Sequence, residues 1–183
     1  MGNPPFGKQS SLCHKFIRHA SKFAVSISFI LPISFKKQFN LSKIPNQFHL
    51  VNEVLITKNA FTHNGHNFDI PTVFQIWKKQ EVLRAKVVKE DPKNFSFVGK
   101  EKASFSIVRT GNAGRATTSF KDKSNEHNYF VKLRPGANVE NVVKSINETY
   151  MVERNFNLGA PTLSRREITY YLNRILSKYF IQT

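Results

Sequence analysis

The chain has 183 residues, 40 % of them hydrophobic and 22 % charged, a balance that excludes a disordered low-complexity tail. Its 28 Lys and Arg against 12 Asp and Glu leave +16 at pH 7, so a polyanion is the first partner to expect, through field steering and counterion release. The single cysteine, Cys13, excludes an intramolecular disulfide and a cysteine-based zinc centre, and points to a reducing compartment.

Turn-formers dominate residues 2–11, GNPPFGKQSS. Pro4 and Pro5 force extended backbone ahead of Phe6 and remove two N–H donors. Ser10 or Ser11 can cap a helix over residues 11–23, with Leu12, Phe16, Ile17 and Ala20 along one face. The run FAVSISFILPISF, residues 23–35, is the longest apolar stretch. It is interrupted by Ser and Pro and falls short of the roughly 18 residues that suggest a membrane span. Within it, residues 25–31 predict a buried strand ended by Pro32. A short helix or irregular connection carrying Lys36, Lys37 and Lys43 follows over 35–44.

Strands are expected at 48–56 and 72–78, separated by the polar loop THNGHNFDIP with its Asn64-Gly65 turn signal. With no helix between them, an antiparallel pair is expected rather than a βαβ unit. After a basic segment at 78–89, short strands are expected at 95–98, 103–109 and 128–133, and a helix at 139–150. A second helix starts at Ser164, where Glu167 completes a capping box; Ile168, Tyr171, Leu172, Ile175 and Tyr179 recur at helical spacing. His63, His66 and Asp69 lie in one loop whose geometry nothing fixes, so no metal site is expected.

The sharpest chemical signal is Asn3-Pro4-Pro5-Phe6. An amide, two prolines and an aromatic ring in a rigid stretch suit chemistry at the exocyclic amine of a planar base. The Asn3 oxygen can accept one amino hydrogen and the Pro4 carbonyl the other, while Phe6 stacks on the base. Positioning and dipoles then carry much of the barrier reduction. In duplex DNA the base must first leave the stack.

These four residues resemble the catalytic motif of the amino methyltransferases that methylate N6 of adenine with S-adenosylmethionine. In that family the motif follows the fourth strand of a Rossmann-like sheet. The resemblance then implies a helix over 11–23, a fifth strand at 25–31 and closing strands at 48–56 and 72–78. The segments FILPISFKK, HLVNEVLITKNAF and IPTVFQIW are similar to DNA adenine methyltransferase-like proteins of bacteria, phages and large viruses. The resemblance covers residues 2–77, and FSIVRTGNAGRA and NLGAPTLSRREI resemble a target-contacting extension. The implied α/β fold is the C-terminal half of a Rossmann-like methyltransferase sheet over 1–89, with a small basic α+β extension over 90–183 as target-recognition region.

One departure from the family is large. The strands that should precede the motif, and the x-Gly-x-Gly cofactor loop among them, have no counterpart before Asn3. The nearest downstream pattern is Gly111-Asn112-Ala113-Gly114-Arg115, whose following residues 116–120 read as strand, not helix. It reads better as a basic loop near phosphate or a hairpin turn. No cofactor-binding residue is therefore assigned, and S-adenosylmethionine is expected only if a missing half or second chain supplies its site. A split enzyme, a truncated gene product and a non-catalytic nucleic-acid-binding remnant or subunit all fit; a basic structural protein, such as a ribosomal one, needs the motif order to be coincidence. Lys8, Lys36, Lys37, Arg109, Arg115, Arg165 and Arg166 are the candidate contacts to DNA phosphates. A soluble, cytoplasmic protein without membrane attachment is expected.

Overall fold

In the computed structural model, residues 1–56 and 60–180 are described. They form two compact units: Met1–Val88 with Phe156–Leu158, and Lys89–Asn155 with Gly159–Thr183. All sheets in both are antiparallel. Among the described residues no helix is long and apolar enough to cross a membrane.

Unit one begins with helix α1, Ser11–Ala20. It buries Cys13 and Ile17, one turn apart, and turns Lys15, Arg18 and His19 outward. Ser10 does not cap it: its backbone is left-handed (φ 60°) and its side chain makes no capping bond. The helix also ends at Ala20, and residues 21–23 continue only as turn. Strand β1, Ser26–Pro32, leads into a 3-10 turn at Ile33–Lys36 and the single-turn helix α2, Gln38–Leu41. Strands β2 (Phe48–Leu55), β3 (Phe61–His63), β4 (His66–Phe68) and β5 (Thr72–Lys79) complete the unit.

The main sheet has the order β1-β5-β2. Pro32 pairs with Thr72 and Ser26 with Lys78, while β2 slips register between Leu50 and Asn52. Residues 48–56 and 72–78 thus pair antiparallel, as their spacing predicts. The polar loop between them is itself a hairpin, β3–β4. Asn64 and Gly65 both have positive φ (49° and 77°), the requirement of a two-residue turn that follows the twist of the strands. Cys13, Ile17, Leu31, Phe35, Ile44, Phe48, Val73 and Trp77 form the core.

Unit two contains β6 (Phe95–Phe97), β7 (Phe105–Val108), β8 (Ala116–Thr117) and β9 (Asn128–Leu133), in the order β6-β9-β7-β8. Helices α3 (Val139–Glu148) and α4 (Arg165–Leu176) supply the rest of its core. Val142, Val143 and Ile146, with Ile168, Leu172, Ile175 and Leu176, join Phe105, Ile107 and Val131. Both helices are capped. Asn138 accepts from the Asn141 amide at 3.0 Å, and Ser164 and Glu167 make the reciprocal box that their spacing predicts. Asn147 completes the sheet edge by accepting from the Ala116 amide at 2.8 Å and donating to its carbonyl at 3.0 Å.

Candidate nucleic-acid interface

In unit one the Asn-Pro-Pro-Phe stretch leaves the edge of the main sheet. The Gly2 amide donates to the Ser28 carbonyl at 2.9 Å and its carbonyl accepts from Ile30 at 3.1 Å, a parallel bridge opposite Phe29. Asn3 is exposed, Pro4 buried, Pro5 exposed and Phe6 half-buried against the core. The exposure of Asn3 leaves its side-chain amide open to a ligand. The Pro5 carbonyl accepts a weak bond from the Cys13 thiol at 3.7 Å.

Directly after the motif the backbone is unusual. Gly7, Gln9 and Ser10 have φ of 68°, 52° and 60°, a region that costs a residue with a Cβ free energy. At Gly7 the reason for glycine is steric as well: a Cβ there would lie 2.6 Å from Leu12 Cγ. Neither Gln9 nor Ser10 announces such a turn in the sequence.

Behind the motif, His14 is buried and stacks on Phe35 with 4.8 Å between ring centroids. Its Nε2 faces Asn40 Oδ1 at 3.0 Å, and Asn40 Nδ2 donates to the Ser34 carbonyl at 2.8 Å, which fixes the amide orientation. His14 Nε2 is therefore the donor, and the buried Nδ1 has no partner. Burial, and after it the charges of Lys43 and Arg18, hold the imidazole pKa below its ordinary value against the bond to Asn40. Cys13, fully buried, has its thiol pushed up to about 11 by burial and is not a nucleophile.

The candidate cations of unit one differ in their surroundings. Lys8 is exposed. Lys36 pairs with Glu53, so its charge is compensated locally. Glu53 also accepts from Gln75 Nε2 at 2.8 Å, and Gln75 Oε1 accepts from Trp77 Nε1 at 3.1 Å. This network explains a glutamine at 0 % exposure in a central strand. Lys37 is half-buried at the C-terminal end of the 3-10 turn.

In unit two the four candidate arginines separate. Arg109 and Arg165 line one cleft of about 420 Å³ with Asn128, Tyr129 and Phe130. Their guanidinium carbons lie 5.2 and 5.5 Å from the centroid of the same Tyr129 ring, and Arg165 is also 5.2 Å from that of Phe97. Arg115 lies in a different cleft, with Asn112, Glu148, Tyr150 and Arg154. Arg166, second residue of α4, is half-buried. The Gly111–Arg115 stretch is a turn from β7 to β8: the Gly114 amide donates to the Val108 carbonyl and the Val108 amide to that of Arg115, both at 2.8 Å.

Sequence reasoning missed Asn128. It is 6 % exposed; Nδ2 donates to the Ser124 carbonyl at 3.0 Å, and Oδ1 has no partner. An asparagine opening a predicted strand gives no signal of this, because the feature exists only after β9 is folded against its neighbours. The side chain of His63 lies outside the described residues; among those described, no group of three His, Cys, Asp or Glu side chains could hold a metal. Comparisons with protein-family models, with curated proteins and with solved structures find no match.

Proposed function

We propose that this chain supplies the target-base half of adenine-N6 methyl transfer to DNA, acting with a cofactor-binding half that its described residues do not form. The observation that carries this reading is the entry of Gly2 into the sheet. The resemblance asks that the motif leave a strand parallel to the fifth strand, joined to it by a helix. Gly2 bridges Phe29 in parallel, and α1 lies between the two in sequence. Parallel neighbours require such a crossover. On its other side β1 meets β5, which also pairs with β2, in keeping with a closing pair of strands.

S-adenosylmethionine is the methyl donor that the resemblance implies, and no loop described here fits it. A cofactor loop follows a strand and opens a helix, whereas Gly111–Arg115 joins two antiparallel strands. The roles assigned to this chain are confined to the base. Asn3, which is exposed, accepts one hydrogen of the adenine amine through Oδ1, and the Pro4 carbonyl accepts the other. Holding the amine in this way orients its lone pair, a contribution of position and dipole rather than of a strong base. Phe6 presents its remaining exposed surface to the base plane.

Calorimetric titration of the 183-residue chain with S-adenosylmethionine should give no binding, and one-to-one binding would overturn the division into halves. With the cofactor-binding half of an amino methyltransferase supplied in trans, cofactor binding and transfer to adenine N6 should arise together. In that complex Asn3→Ala should abolish transfer and leave cofactor binding intact. A complex that binds both cofactor and DNA yet methylates nothing would overturn the reading. The arginine pair of unit two would then favour the second reading, a nucleic-acid-binding subunit without transfer activity.

A further inference from the structure

We infer that the cleft formed by Arg109, Asn128 and Arg165 is a subsite for one phosphodiester unit of a nucleic-acid strand. The phosphate lies between the two guanidinium groups, and a donor of the adjoining sugar or base meets Asn128. The inference concerns unit two alone and does not depend on methyl transfer.

Three observations converge on it. First, two cations approach one aromatic ring, Tyr129, and neither has a carboxylate partner among the described residues. Cation–π attraction holds each guanidinium over the ring, and an anion placed between them would relieve their mutual repulsion. The planar fork of arginine suits the two unbridged oxygens of a phosphodiester.

Second, the site is built rather than incidental. Arg109 is held on both sides of its backbone: its amide donates to the His127 carbonyl at 2.9 Å, and its own carbonyl accepts from Leu163 at 2.8 Å. Its Nε is buried without a partner. Arg165 is the first residue of α4, where the field of the helix opposes a cation. Its contacts with Phe97 and Tyr129 offset part of that opposition. The Glu167 carboxylate already occupies the helix N-terminus through the capping box, so the anion subsite is made by the guanidinium groups.

Third, Asn128 lines the cleft and its buried Oδ1 has no partner, so a ligand that carries a donor gains more there than a bare anion. A buried acceptor without a partner is unfavourable, and only a donor can satisfy it. Inorganic phosphate is chiefly an acceptor. A nucleotide carries imino, amino or hydroxyl donors beside its phosphate, and its base can stack on arginine or on an aromatic ring at the rim.

Fluorescence anisotropy of the full chain with a labelled oligothymidylate tests this. Arg165→Gln and Arg109→Gln should each weaken binding about tenfold, the scale of a lost charge-assisted hydrogen bond. Each should also reduce the log–log salt slope by about 0.7, as expected for one phosphate contact on a single strand. Lys144→Gln removes one positive charge from the exposed face of α3, outside the cleft, and should change affinity by less than about twofold. Arg165 is exposed, so its variant keeps the test decisive even if Arg109→Gln fails to fold. Equal losses from Lys144→Gln and Arg165→Gln would replace the subsite with a diffuse field and overturn the inference. Displacement of the oligonucleotide by inorganic phosphate at matched ionic strength would assign the cleft to a free anion. Displacement by polyglutamate in preference to unlabelled oligothymidylate would assign it to an acidic protein; either result overturns the inference.

Discussion

Both units leave buried polar atoms unpaired, His14 Nδ1 and Thr72 Oγ1 in unit one and Ser106 Oγ, Arg109 Nε and Asn128 Oδ1 in unit two, but the groups around them differ. Unit one closes its central network on itself: Gln75 reaches Glu53 and Trp77, and Glu53 also takes Lys36. Unit two leaves Arg109 Nε and Asn128 Oδ1 without partners beside a cleft that holds two arginines. A paired interior group stabilises the fold, whereas an unpaired one beside a cleft stores recognition that a ligand releases. In this chain the net charge therefore says less about binding than the partners of each cation do.

The largest expected effects test whether each unit has a core of its own. Phe48 in unit one and Phe105 in unit two are both fully buried. Replacing either by alanine should cost about 3–5 kcal/mol of its unit's stability, through lost transfer energy and the cavity left behind. Amide hydrogen exchange of β5 should report the first and that of β9 the second. A loss below about 1 kcal/mol at either position would remove that ring from the list of core determinants.

A smaller effect probes the strained turn after the motif. Gly7→Ala combines a positive φ with a Cβ 2.6 Å from Leu12 Cγ. It should cost about 1–3 kcal/mol, read as a shift in the denaturant midpoint. Gly111→Ala meets positive φ but nothing within 4 Å, and should cost less. Equal effects would show that φ alone matters at Gly7 and that its contact with Leu12 relaxes.

Much of this organisation is legible in the sequence. Short apolar runs and bounding turn residues locate strands near 25–31, 72–78 and 128–133, and the Ser164–Glu167 spacing locates a helix start, because those signals are local. The left-handed backbone of Gln9 and Ser10 is not legible, since neither residue type demands it and packing of α1 decides it. Residues 105–108 rather than 103–109 form β7, which follows a 3-10 turn at Lys100–Lys102. Arg109 and Arg165 are visible as cations, yet their convergence on Tyr129 depends on β7, β9 and α4 meeting in space. The pairing of Lys36 with Glu53 is equally non-local, and it separates Lys36 from the uncompensated cations.

The finest test of the contrast is pH, because His14 in unit one and Glu90 in unit two, both lowered in pKa, lose their contributions over different pH intervals. In unit one, burial first, then Lys43 and Arg18, favours neutral His14 in the fold. Protonation would place a second N–H at Nδ1, where no acceptor is available. The unfolded chain takes up that proton near the ordinary value of 6.5, whereas the folded chain takes it up only at lower pH. The stabilisation from neutral His14 is thus complete above the unfolded value and is lost as pH falls through the interval to the folded one. In unit two, Glu90 is held below its ordinary 4.5 by its hydrogen bond from Arg174, then by that from Asn173. Its contribution persists through the histidine range and is lost only as pH falls below about 4.5; solvent exposure keeps it small. Hydrogen exchange followed from pH 7 to pH 5 should therefore show β1 and β5 losing protection before β9, after correction for intrinsic exchange rates. His14→Gln should flatten the unit-one profile over that range and leave the profile of β9 unchanged. An unaltered slope in that variant would assign the acid sensitivity of unit one to another group.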